Sequence, residues 1–323
     1  MPTISVVVPA YNGERTILET IKSIQQQTFS DFELIVINDG STDRTLEPLA
    51  TVEDPRLKVF SYENGGLPVA RNRGIARSTG EFITFIDADD LWTPDKLELQ
   101  LAALQQHPEA GVAYSWTLVM DEKGEGFYPG KSVSFEGNVY PQLLLSNFIA
   151  SGSNVMLRRE AIASVGEFDP TLRSCEDWDY WLRVAARWSF VVVPKHQILY
   201  RQSSGAMSSK VEVMEKNLLI VHERAFQAAP PELQFLKNHG LANIYLFVTQ
   251  LCLTHVSSAT GAQQAREKLQ KAIRLRPQFL LNKQALIFLL KLLLIGVLSP
   301  KIAGYILQKL SKARAANKPE AVV

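Results

Sequence analysis

Cysteine is scarce in this 323-residue chain. Cys175 and Cys252 are the only two, too few and too isolated for a zinc site or a disulfide framework, and they fit a reducing compartment. Charge of either sign is not in excess. The net charge is +1, so composition does not point to nucleic acid, and none is expected as a partner. Long apolar runs are missing too. The most extended, Ala285 to Leu298, is broken by Lys291 and falls short of the ~20 residues that a bilayer-spanning helix requires. The opening Met1-Pro2-Thr3-Ile4 enters a strand pattern without the basic and apolar regions of a signal peptide, so the cytoplasm is the expected location. That first strand is followed by Pro9-Ala10-Tyr11-Asn12-Gly13 and not by Gly-x-Gly-x-x-Gly, which tells against a dinucleotide-binding oxidoreductase.

With 46% hydrophobic and 21% charged residues, the chain can bury a sizeable core. Its first hundred residues alternate between two periods. Strand patterns run over Ile4 to Pro9, Phe32 to Asn38, Leu57 to Tyr62 and Glu81 to Ile86. Helical spacing covers Thr16 to Gln27 and Leu67 to Arg77, Ser41 is placed to cap a short helix, and helix is expected from Leu91 to about His107. Gly111 to Trp116 and Ser151 to Leu157 read as strands, Trp178 to Trp188 as a helix, and Phe190 to Val193 and Ile198 to Tyr200 as two short strands. The Gly-rich stretch from Asp121 to Gly137 reads as a hairpin or loop excursion. The fold class is therefore α/β: a mixed, mainly parallel sheet in a three-layer domain over about 1–209, then a helical region over 210–323. Ligands of such sheets sit beyond the carboxyl ends of the strands, where Tyr11-Asn12, Asp39-Gly40 and Asp87-Ala88-Asp89 fall.

Three clusters bear chemistry. Asp87 and Asp89 follow an apolar strand, and an extended backbone would point both carboxylates the same way, as hard oxygen donors for Mg²⁺ or Mn²⁺ against substrate phosphates. Alternatively these acids begin the next helix, although Thr93-Pro94 supplies that helix with its own start. Arg71 and Asn72 lie near the start of the helix that follows Asn64-Gly65-Gly66. A guanidinium there pairs with phosphate, orders neighbouring acids, or joins Arg73 and Arg77 on a solvated face. Glu176 and Asp177 stand before an aromatic-rich helix, either for proton transfer or merely to favour the helix dipole.

Read together, Val6-Val7-Val8-Pro9-Ala10-Tyr11-Asn12, Val36-Ile37-Asn38-Asp39-Gly40-Ser41-Thr42-Asp43, Ala70-Arg71-Asn72-Arg73-Gly74 and Asp87-Ala88-Asp89-Asp90 closely resemble family 2 glycosyltransferases over roughly residues 3–209. The resemblance implies a GT-A fold and inverting transfer from a nucleotide-diphosphate sugar, most simply a UDP-sugar, to a hydroxyl of a saccharide or lipid-linked acceptor. Cell-surface polysaccharide or glycolipid synthesis is the setting it implies. It assigns nucleotide-sugar contacts to Pro9, Ala10, Tyr11, Asn12, Glu14, Asp39, Arg71, Asp87, Ala88 and Arg201. Asp39 would accept the pyrimidine ring N–H, Asp87 would meet ribose or act behind it, and Arg201 would meet the diphosphate. Asp89 would bind the metal, Asp177 would be the general base and Glu176 would place the acceptor. Ser151-Gly152-Ser153-Asn154 resembles a small-residue segment near the donor sugar. In one departure, Ser203 stands where many relatives carry a metal- or phosphate-binding histidine.

Two other functions compete: a sugar nucleotidyltransferase, whose basic Gly-rich first loop is lacking here, and a non-catalytic scaffold built on a degenerate transferase domain. The segment Ala285 to Leu298, followed by Lys301, Lys309, Lys312, Arg314 and Lys318, reads either as an interfacial helix for peripheral contact with an anionic membrane or as a core helix of the tail.

Overall fold

Valine and isoleucine set the middle of the sheet. In the computed structural model, which describes residues 1–130, 132–202, 210–254 and 259–297, β1 (Ile4–Ala10) and β2 (Phe32–Asp39) are buried from end to end. They pair in parallel from Ile4↔Phe32 to Ala10↔Asn38. β3 (Leu57–Tyr62) extends the sheet beyond β2, and β4 (Phe82–Phe85) lies on the other side of β1, both in parallel. Parallel neighbours need crossovers, and α1 (Ile17–Gln25), α2 (Leu46–Ala50) and α3 (Leu67–Arg77) supply them. Ile17, Ile21 and Ile24 of α1 pack under Val6 and Val8. On the opposite face α3 lies so close that a Cβ on Gly74 would sit 2.2 Å from Val7 Cγ1. These two faces make the layered core, at about 1.5–3 kcal/mol for each fully buried Ile or Leu.

The chain then adds β5 (Leu91–Trp92), α4 (Lys96–Gln106), β6 (Ala110–Met120), β7 (Tyr128–Pro129) and α5 (Tyr140–Leu145). After these come β8 (Met156–Arg158), α6 (Arg159–Val165), α7 (Glu176–Ala185) and β9 (Ser189–Arg201). The sheet runs β3-β2-β1-β4-β8-β6-β9-β5, with β7 on β6. β8 is antiparallel to both β4 and β6, whereas β6 and β9 are parallel, so the sheet is mixed.

Several local expectations are corrected. Leu91–Trp92 is a strand on β9, and the helix begins only at Lys96; the carbonyl of Thr93 accepts Lys96 N–H, two residues later than a Thr93-Pro94 start. Ser41 caps no helix: α2 begins only at Leu46, with Thr45 before it, and Ser41 Oγ instead accepts Asn12 N–H at 3.0 Å. Phe190 to Tyr200 is one strand whose register on β6 shifts around Trp116, not two strands. Ser151 to Val155 is irregular, and the strand starts at Met156.

The chain divides into two compact units, Met1–Leu143 with Asn147–Ser203, and Leu144–Ser146 with Ser204–Val323. The second contains α8 (Val211–Ala228), α9 (Lys237–Thr254), α10 (Ala259–Leu275) and α11 (Lys283–Val297). Pro231 and Pro277 open short 3-10 turns between these helices, as expected of a residue that fixes φ and offers no N–H. No helix among the described residues is long and apolar enough to cross a membrane. Ser203 and the basic residues from Lys301 onward lie outside the described residues.

Candidate active site

Three non-glycine residues among those described have positive φ: Asn12 (53°), Ala150 (70°) and Cys175 (61°). Left-handed backbone is disfavoured for such residues and persists where surrounding structure enforces it, often at functional sites. Asn12 lies in the polar end of the first strand, Ala150 precedes the Ser151-Gly152-Ser153-Asn154 segment, and Cys175 precedes Glu176 and Asp177.

Pro9 and Ala10 are buried inside β1, opposite Ile37 and Asn38, whereas Tyr11 beyond them is 54% exposed. The loop that follows is laced to the loop after β2. Asn12 Oδ1 accepts Thr42 N–H at 2.8 Å, Gly13 N–H donates to Thr45 Oγ1, and Glu14 Oε2 accepts Arg44 N–H. Ala88 O takes the Thr16 hydroxyl, joining this loop to the acidic turn.

Asp39 ends β2 and is buried. Its Oδ1 accepts Gly65 N–H (2.9 Å) and Arg73 (2.7 Å), and its Oδ2 accepts Gly66 N–H (2.8 Å). A carboxylate takes about four hydrogen bonds, so one position on Oδ2 remains. Arg73 is therefore not on a solvated face; it lies over the Tyr62 ring and pairs with Asp39.

Arg71 is 1% exposed and bridges two acids from distant segments: Asp87 Oδ1 at 2.9 Å and Glu176 Oε1 at 2.6 Å. It orders neighbouring acids, one of the roles open to it from sequence. Burial works against its charge, but Asp87, Glu176 and Asp177 hold it firmly protonated. Gly152 makes the arrangement possible, since a Cβ there would lie 2.2 Å from Arg71 Nη2.

Asp87 to Asp90 do not continue the strand. Asp90 N–H donates to Asp87 O at 3.0 Å, closing a turn, so Asp87 and Asp89 do not share an extended face. Asp87 faces Arg71, and its backbone N–H is held by Ser153 Oγ. Asp90 is completely buried; it accepts Ser153 Oγ (2.5 Å) and Arg201 N–H (2.9 Å), and burial with its acidic neighbours pushes its carboxyl well above the usual range. Arg201, expected at the diphosphate, is 4% exposed. Its guanidinium donates to Asp89 O, Glu122 O and Glu19 Oε2, so it braces the acidic turn.

Asp89 is pushed up to about 6 by burial and by the charge of Asp87, with Arg201 opposing. An under-neutralised carboxylate is a fitting donor for a divalent cation. Among the described residues no three metal-ligating side chains gather, so such an ion would take few protein ligands and rely on phosphate and water, as Mg²⁺ and Mn²⁺ do.

Glu176 and Asp177 open α7 behind Cys175. Burial raises Glu176 to about 7 against the pull of Arg71. Asp177 is raised as well, chiefly by burial, while Arg71, Trp178 N–H and Asn147 oppose. Trp178 N–H (2.7 Å) and Asn147 Nδ2 (3.2 Å) fix its two oxygens. Two acids with raised proton affinity, beside a guanidinium shared with the acidic turn, are equipped for proton transfer.

A sequence profile described as glycosyltransferase like family 2 matches residues 5–249. The chain belongs to that family. An uncharacterized glycosyltransferase of Rickettsia conorii is 35% identical over 205 residues, covering 62% of this chain, and the match spans 33% of that protein's length. TuaG of Bacillus subtilis, a glycosyltransferase assigned to teichuronic acid biosynthesis, is 30% identical over 228 residues, covering 69% of this chain and 88% of TuaG. The fold is shared with S. aureus TarS residues 1–349 (TM-score 0.58, 22% identity, 85% of this chain and 81% of that one). It is shared equally with the mannosyltransferase PcManGT from Pyrobaculum calidifontis, solved with GDP-Man and Mn²⁺ (TM-score 0.58, 18% identity, 90% and 87%). These neighbours agree with the GT-A-like architecture expected from sequence.

Some of this family member's site was not legible. Asn147 and Glu19 carry no local signal and reach Asp177 and Arg201 only through tertiary contact, and Ser153, in a segment expected near the donor sugar, instead holds Asp90. Gly152 carried a signal, but its partner is Arg71.

Proposed function

We propose that the protein is an inverting glycosyltransferase that moves a sugar from a nucleoside-diphosphate donor, a UDP-sugar first, to an acceptor hydroxyl. Asp177 takes the proton from that hydroxyl as its oxygen bonds to the anomeric carbon. The carbon–oxygen bond to the diphosphate breaks, and its electron pair leaves with the diphosphate. Glu176 places the acceptor. Asp87 sits on the donor side, and the open position on Asp39 Oδ2 receives the pyrimidine N–H. The loop Pro9, Ala10, Tyr11, Asn12 and Glu14, with Ala88, borders the nucleotide. Asp89 would hold Mg²⁺ or Mn²⁺, which when bound neutralises negative charge on the leaving diphosphate. Arg201 serves the diphosphate through the position it gives Asp89. The observation that carries this reading is the bridge from Asp87 through Arg71 to Glu176, which joins the turn we assign to the donor to the acids we assign to the acceptor.

Among proteins of this fold TarS has been solved with UDP-GlcNAc and PcManGT with GDP-Man, so the family resemblance sets UDP first and titration decides between the bases; the relation to TuaG bears on the acceptor. We assign the acceptor to a saccharide or lipid-linked intermediate of cell-surface polymer or glycolipid synthesis, and residues 1–209 to catalysis. Thermal-shift titration with UDP, GDP, dTDP and CDP, with and without Mn²⁺, reads the base and the metal. Slow hydrolysis of the preferred nucleotide-sugar reads the chemistry. Asp177→Asn should lower turnover about 10²–10⁴-fold while leaving nucleotide binding in place. Equal loss of both would remove Asp177 from the role of base, absence of turnover in the wild type would favour a scaffold, and pyrophosphate release from sugar phosphate and UTP would favour a nucleotidyltransferase.

A further inference from the structure

Helix α11 is apolar on both sides. Ala285, Phe288 and Leu292 face inward and are at most 5% exposed. On the other side Leu286, Leu290 and Leu293 recur at helical spacing and are 48%, 59% and 64% exposed, and Leu280 and Leu281 just before the helix are 49% and 86% exposed. Five leucines held in water on one short segment are unusual for a face that meets only solvent.

Charge indicates what covers them. Residues 259–323 contain twelve Lys and Arg against two acids, Glu267 and Glu320, within a chain whose net charge is only +1. Of these cations Arg266, Lys271, Arg274 and Lys283 are exposed. A second copy would bring the same positive charge against itself, and the segment after α11 is basic too, so both are electrostatically poor covers. Nucleic acid would match the charge but has no use for leucines. An anionic bilayer matches both features: headgroups meet the cations, and the leucines enter the acyl boundary.

We propose that α11 and the turn before it form a peripheral docking surface for anionic phospholipid, lying in the interface and not spanning it. Both the core-helix and the interfacial-helix readings of this segment then hold, one for each face. The proposal stands apart from the transferase reading, because none of its residues belongs to the candidate active site.

The test is co-sedimentation of the full chain with vesicles of phosphatidylcholine alone and of phosphatidylcholine with phosphatidylglycerol. Binding should need the anionic lipid and weaken as salt is raised. The triple variant Leu286→Ser, Leu290→Ser and Leu293→Ser should lose tenfold or more in partitioning, on the order expected for removal of the apolar anchor, with its circular dichroism and nucleotide thermal shift unchanged. Three results would overturn the proposal: no binding by the wild type, equal binding to both vesicles, or a triple variant that binds like the wild type. So would a wild-type dimer in gel filtration that the triple variant dissolves, since a second copy would then be the cover. Retention of RNA that survives the leucine changes but is lost in Arg274→Glu with Lys283→Glu would likewise replace lipid by nucleic acid. An unchanged nucleotide shift alongside failed vesicle binding would leave the transferase reading intact.

Discussion

Glu33 at the amino ends of the parallel strands and the acids of the turn after β4 and the start of α7 are treated in opposite ways. Near the amino ends Glu33 of β2 accepts Ser5 Oγ, Thr79 N–H, Thr79 Oγ1 and Lys58 Nζ. Burial alone would raise its pKa, but these donors outweigh it and hold the group at about 2. In the turn after β4 Asp89 is held up to about 6, and at the start of α7 Glu176 to about 7, because burial and like charge exceed the donors present. Glu33 is thus a fully satisfied carboxylate, whereas Asp89 and Glu176 are under-neutralised, although Asp39 at the end of β2 is paired with Arg73. An acid of the first kind contributes stability. Acids of the second kind cost stability, and a fold retains them where a proton, a cation or a substrate supplies what is missing.

Removing the cation that Asp87 and Glu176 share should break this contrast most severely. Arg71→Met leaves Asp87 and Glu176 buried without their partner, and about 3–5 kcal/mol of stability should be lost in urea denaturation, together with turnover. Arg71→Lys should recover part of the stability but not the rate, because a single ammonium cannot span both acids as the guanidinium does. Gly152→Ala should act in the same direction with a smaller loss, about 1–3 kcal/mol, by pushing the guanidinium from its seat.

Glu33 offers the control. The pKa of Glu33 is lowered from 4.5, so its contribution is present above pH 4.5 and lost as pH falls towards 2. Glu33→Gln should remove on the order of 1–2 kcal/mol at neutral pH, allowing for solvent screening, and flatten that acid loss while turnover per folded molecule stays unchanged. A fall in turnover would erase the distinction between the two kinds of acid.

Lys96 sharpens the comparison. It is completely buried, its Nζ donates to Thr84 Oγ1 and lies 3.9 Å from the Trp92 ring centroid, and burial alone pushes its pKa well below 10.5. The unfolded chain binds the extra proton, so wild-type stability should rise as pH climbs above the lowered folded pKa towards 10.5. Lys96→Met should stabilise the protein at neutral pH and abolish that rise, as followed by thermal unfolding across the pH range.

Much of the fold was legible because its signals are local. The apolar runs of β1, β2 and β3 and the spacing of α1 and α3 depend on neighbours within a few residues, and their limits match to within two or three positions. Leu91–Trp92 misled because a two-residue strand leaves no period, and its β identity exists only through pairing with Leu199 and Ile198. The acidic turn misled for a related reason. Spacing alone cannot show that Asp90 N–H turns back to Asp87 O.

By itself the sequence determined the order of the first four strands and the helices between them, the positions where those strands end in acids, and the family. Each follows from side chains acting on their own stretch of backbone or from motifs read in order. Tertiary structure alone decided which acid meets which cation. Arg71 and Glu176 are 105 residues apart in sequence, and Arg201 and Glu19 are 182 apart. Such pairs form only when packing removes water from both partners, and no local preference of the chain encodes that.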